Sequence, residues 1–62
     1  MFKINVKIVK NIYDVIDEFE YHSTLVPIVG DCILNSYDKY EVIERVIPHD
    51  NPHFILIKAT KK

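Results

Sequence analysis

Two imidazoles, His49 and His53, stand four residues apart with Asp50 between them, and His22 or Cys32 would complete a four-ligand zinc set. That spacing brings both rings to one side only in a helix, and Pro52 opposes a helix there. The segment therefore reads as a solvent-exposed loop, and neither a metal nor any other cofactor is expected. Cys32 beside a histidine is the next chemical pairing, a thiol nucleophile with its base. A catalytic thiolate needs a pocket, and a domain of this size leaves little room for one of about 300 Å³ or more. Cys32 is therefore expected as an inert core residue. With no nucleophile, base and orienting group in one set, the chain is not read as an enzyme.

Three further groups of side chains are candidates for recognition. Asp14, Asp17, Glu18 and Glu20 form an acidic run that matches no calcium loop. Its ordinary role is a solvated face opposite Lys3 and Lys7, and its functional role would be electrostatic complementarity to a basic partner. Tyr13 and Tyr37 fall in turns, where tyrosine is suited to contact a partner, whereas Tyr21 and Tyr40 fit core positions. Lys3, Lys7, Lys58, Lys61 and Lys62, with Tyr37 or Tyr40 as a stacking platform, would make a nucleic-acid face. Eight Lys+Arg against nine Asp+Glu leave a formal charge of −1, which favours an ordinary mixed surface over a phosphate-binding one.

The elements that would position these groups follow from periodicity. Phe2, Ile4, Val6 and Ile8 alternate with Lys3, Asn5 and Lys7, the pattern of a half-buried strand. Residues 11–22 admit two readings. Ile12, Val15, Ile16 and Phe19 make a helical stripe with Asn11 as a cap. As a strand, Phe19 and Tyr21 point one way and Glu18, Glu20 and His22 the other. A hairpin whose paired residue numbers sum to 25 sets Val6 against Phe19, Ile4 against Tyr21, Lys7 against Glu18 and Asn5 against Glu20. That register favours the strand, although the linker lacks the Asn-Gly or Asp-Gly pair of a tight hairpin.

Leu25 to Leu34 is the densest apolar run and holds the only glycine. Pro27 fixes the approach, Gly30 and Asp31 form the corner, and Cys32 returns to the core. The run thus reads as a structural turn, with function expected elsewhere on the surface. A polar turn at residues 35–39 follows. A strand over Tyr40 to Ile47 has Tyr40, Val42 and Val46 on one face and Glu41, Ile43, Arg45 and Ile47 on the other. After a loop with two prolines, a β-prone strand runs from His53 to Ala59. The expected fold is all-β, a single domain over 1–62, with four to five antiparallel strands curled into a small barrel. The alternative is α+β, one helix at about 11–22 packed on a four-stranded sheet.

The order of Pro27, Val29-Gly30-Asp31, Ile33, a polar turn, Tyr40, Val42 and the strand 54–59 resembles the small SH3-like barrel proteins of bacteriophages and mobile elements. The likeness covers roughly residues 18–60, and the Asn, Ile and Lys content is similar to that of low-GC bacterial and phage genes. It implies a binding scaffold with no catalytic residues to transfer, since fold alone does not carry function. The expected function is a non-enzymatic interaction module, a phage or mobile-element accessory protein that binds and modulates or inhibits a host protein; nucleic-acid or nucleotide binding is the alternative. A chain this short buries only about 60% of its unfolded surface, so a homodimer or higher homo-oligomer is a linked expectation. No secretory leader and no apolar run of about 20 residues is read, and one unpaired cysteine suits a reducing compartment. The expected setting is the cytoplasm, that of the host if the gene is phage-borne, with no membrane partner.

Overall fold

The computed structural model describes residues 1–11 and 14–62. Alternating sequences in the first third of the chain form β1 (Phe2–Asn11) and β2 (Asp14–Ser23), and the helix alternative is not adopted. They pair antiparallel from Phe2↔Ser23 to Ile8↔Asp17, with numbers that sum to 25 throughout. Beyond Ile8 the ladder slips twice, leaving first Ile16 on β2 and then Lys10 on β1 without a direct partner among the described residues. At the tip the missing turn glycine is compensated by side chains. Asn11 Nδ2 donates to Asp14 Oδ2 at 3.0 Å, and the Asp14 amide donates to Asn11 Oδ1 at 3.2 Å. Tyr13 lies outside the described residues.

Three more strands follow: β3 (Cys32–Asn35), β4 (Asp38–Val46) and β5 (Phe54–Lys61). Ser36, at φ 58°, turns the β3–β4 hairpin. The sheet order is β2-β1-β5-β4-β3. Four pairings join the five strands, and one of them departs from the antiparallel expectation: β1 and β5 run parallel, with Ile4 beside Ile55 and Val6 beside Ile57. Alternation assigns a residue to a face but says nothing of which strand lies alongside or in which direction.

The sheet curls into a half-barrel around one apolar interior. Ile4, Val6 and Ile8 meet Ile55, Ile57, Ala59, Tyr40 and Val42, all buried. Phe19 reaches across from β2, its ring centroid 6.1 Å from that of Tyr40 on β4. Val42 pairs with Ala59 but Glu44 pairs with Lys58, so Ile43 is an inserted bulge residue. A bulge reverses the parity of everything after it. Val46 therefore shares the outer face with Leu56, and Arg45, opposite Ile57, takes the inward parity; both assignments reverse the sequence expectation. The apolar residues on both sides of this strand reflect the bulge, which leaves Ile43, Val46 and Ile47 at the surface.

Burial raises the Tyr40 phenol above its ordinary value, and the carboxylates of Asp38 and Asp17 add to the shift. Burial raises Tyr21 as well. A phenol whose folded-state value is raised contributes stability that is complete below the ordinary value near 10 and is lost as pH climbs through the folded one. Urea midpoints measured from pH 8 to 11 should fall above pH 10, and Tyr40→Phe should fall less steeply than the wild type. Parallel curves for the two proteins would exclude Tyr40 as a source of the slope.

Candidate binding seam

The strand order leaves β2 and β3 as the two ends of the sheet, and curling turns these ends toward each other. Among the described residues no ladder and no backbone hydrogen bond joins them. Between them lies a cleft of about 490 Å³. That is larger than the sequence reading allowed, because an open barrel exposes interior volume that a closed one fills with side chains. The volume lies in the ordinary range for binding pockets. Its floor is the half-buried edge of the core, Phe19, Tyr21, Val26 and Ile33. Its rim carries Leu25 and Leu34, 78% and 66% exposed, with Glu20, Asp31 and Cys32.

One wall of the cleft depends on the turn at residues 28–31. The Asp31 amide donates to the Ile28 carbonyl at 3.0 Å, and the Asp31 carboxylate accepts the Ile28 amide at 2.9 Å. Gly30 sits at φ 96°, the positive value that the third position of a type II turn demands. The Gly30 amide donates to the Val42 carbonyl and the Val42 amide to the Asp31 carbonyl, both at 2.9 Å. The turn is thus sewn to β4 at a core residue. Gly30 and Asp31 form the corner that the sequence indicated, and Pro27 stands just before it. The corner does not return the chain to the interior, however: Ile28, Val29 and Leu34 are more than half exposed.

Cys32 corrects the sequence reading most directly, because its side chain is exposed at the cleft and not in the core. It opens β3 opposite Glu41, on the outer face, while the inward position beside it goes to Ile33 opposite Tyr40. Native protein should therefore react with iodoacetamide without denaturant, at a rate similar to that in urea. A rate that rose by orders of magnitude on unfolding would place the thiol inside.

The acidic run divides between the two faces of β2. Glu18 and Glu20 face outward with Asn5, whose Nδ2 donates to the two carboxylates at 3.1 and 3.4 Å. Asn5 is buried, and among the described residues its Oδ1 finds no hydrogen-bond partner. Asp17 shares the inward parity of Ile8, although it lies beyond the core and is exposed. Asp14 closes the hairpin. Tyr37 is fully exposed at the tip of the β3–β4 turn.

The lysines are dispersed and largely matched with acids. Lys3 lies 3.7 Å from Glu20, Lys58 3.7 Å from Glu44 and Lys61 3.3 Å from Asp38. Lys7 stands opposite Glu18 on one side and beside Lys58 on the other. His53 stacks at a tilt near Phe2, with ring centroids 6.0 Å apart. Among the described residues no three of His, Cys, Asp and Glu converge on a common point, and no helix is long and apolar enough to cross a membrane.

What these features define is a five-stranded half-barrel, open along one seam between its two edge strands. No family model matches the chain, and neither a curated protein nor a solved structure matches it.

Sequence reasoning missed Leu25, Leu34, Val26, Ile33 and Cys32 as a candidate site. A signal was available: residues 25–34 hold more apolar side chains than one short strand can turn inward, so some of them had to remain outside.

Proposed function

We propose that this chain is a non-enzymatic interaction module that binds a protein partner along the seam between β2 and β3. The observation that carries the reading is two unpaired strand edges facing each other across a cleft floored by core side chains. Unpaired edges present free backbone donors and acceptors, and proteins ordinarily cover or blunt them. Here the edges flank exposed leucines instead, which suits recognition of an extended segment by strand addition. In the setting that the SH3-like resemblance suggests, the partner is a host protein that the module modulates or inhibits. A nucleic-acid face on Lys3, Lys7, Lys58 and Lys61 has less support, because three of the four have a carboxylate within 4 Å.

Site-specific photocrosslinking tests the reading. A benzophenone amino acid at Leu25 or Leu34 should capture a discrete protein in bacterial cells, and one at Glu44 on the outer face of β4 should not. Capture from Glu44 alone, or capture of nucleic acid from any of the three positions, would overturn it.

A further inference from the structure

The seam is charged as well as apolar, and its charge has one sign. All eight Lys and Arg residues lie at positions 3, 7, 10, 39, 45, 58, 61 and 62. The span from Asp14 to Asn35, which builds β2, the turn and β3, holds Asp14, Asp17, Glu18, Glu20 and Asp31 with no Lys or Arg. Against a whole-chain charge of −1, the two edge strands and their connection therefore carry −5. Lys3 partly offsets Glu20. Among the described residues neither Asp17 nor Asp31 has a cation within 4 Å.

Resting on the binding reading above, we infer that the seam's occupant is an extended peptide segment in which apolar residues alternate with Lys or Arg. The argument is one of faces. Side chains of a strand point alternately to its two sides. A strand laid in the cleft turns one set toward Phe19, Tyr21 and Ile33, a surface that rewards apolar groups. It turns the other set outward past the carboxylates of the rim, where a cation is favoured and an anion repelled. Direction is constrained too. From the pairings, β3 runs with β1 and β5, and β2 runs against them. A strand between β2 and β3 must lie parallel to one and antiparallel to the other. The inserted segment is thus the sixth strand that would close the barrel.

The probe is a heptapeptide of alternating Lys and Val, capped at both ends, compared with its Glu-Val counterpart and with a block-ordered peptide of the same Lys and Val content. Two readouts on the full chain report occupancy: alkylation of Cys32 and amide hydrogen exchange in β2 and β3. The alternating Lys-Val peptide should slow both, with affinity roughly tenfold above either control, and the advantage should shrink in high salt. Glu20→Gln, an exposed change on the rim of the cleft, should weaken Lys-Val binding several-fold and spare the fold as read by circular dichroism. Equal protection by the Glu-Val peptide would overturn the basic occupant and leave the seam reading standing. Protection by the block-ordered peptide as strong as by the alternating one would exclude a strand in favour of bulk charge. Slowing of both readouts with protein concentration alone would make the occupant a second copy of this chain and overturn the inference. If no peptide protects and Leu25 and Leu34 capture nothing in cells, both the occupant and the seam fall together.

Discussion

Ile57→Ala should remove about half or more of the chain's stability at 25 °C. Ile57 is 1% exposed in β5, the strand between β1 and β4, and it stands beside Val6 on one side and opposite Arg45 on the other. Truncating a buried isoleucine to alanine costs about 2–5 kcal/mol, part for lost transfer energy and part for the cavity. A chain of 62 residues has a total stability of about 3–9 kcal/mol on the usual per-residue scale. The loss is therefore a large fraction of the whole, and among the described residues one curled sheet is the only layer of structure. Urea denaturation should show a lowered midpoint or no folded baseline. Ile43→Ala, at the bulge, removes similar atoms from a side chain already 39% exposed and should cost no more than about 1 kcal/mol. Equal losses at the two positions would contradict the description of a single interior core.

Gly30→Ala should destabilise by about 1–2 kcal/mol, for a reason that can be isolated. A Cβ built at Gly30 meets nothing within 4 Å, so no clash contributes. The whole cost lies in forcing an L-residue to φ 96°, outside its favoured regions. The mirror-image residue reverses that preference. Chemical synthesis of the chain with D-alanine at position 30 should restore wild-type stability or exceed it, because the unfolded chain loses freedom that glycine had. If the D- and L-alanine proteins were equally destabilised, the turn geometry would not be the cause. Because this turn forms one wall of the cleft, the L-alanine protein should also bind seam ligands more weakly at temperatures where it remains folded.

The face assignments were legible in the sequence wherever the ladder is regular. From Phe2 to Ile8 the alternation fixed both the inward set and the register to β2, since a one-residue slip would set Ile4 and Val6 against Glu18 and Glu20. Gly30 announced its turn. Three features were hidden, each for a distinct reason. The bulge at Ile43 inverts the later faces of β4, and no residue type there signals an insertion. The parallel pairing of β1 with β5 joins segments far apart in the chain, which local periodicity does not reach. The seam is a consequence of where curling stops, a global quantity. Cys32 illustrates how these combine: within an apolar run it reads as core, but β3 is an edge strand whose outer positions face solvent, and parity gives the inner place to Ile33.

The pairing of Ile4 with Ile55 sets two residues side by side that are 51 positions apart (55 − 4). Hairpins β1–β2 and β3–β4 close locally, but the central ladder that unites them needs nearly the whole chain before its first contact forms. Loop-closure entropy is spent before that contact returns anything, and folding rates fall with such separations. During synthesis the apolar faces of β1–β2 and β3–β4 therefore stay uncovered until β5 emerges to lie between β1 and β4. The last-made strand of the barrel acts as its keystone, and the interval before its arrival is when the chain is most open to premature association.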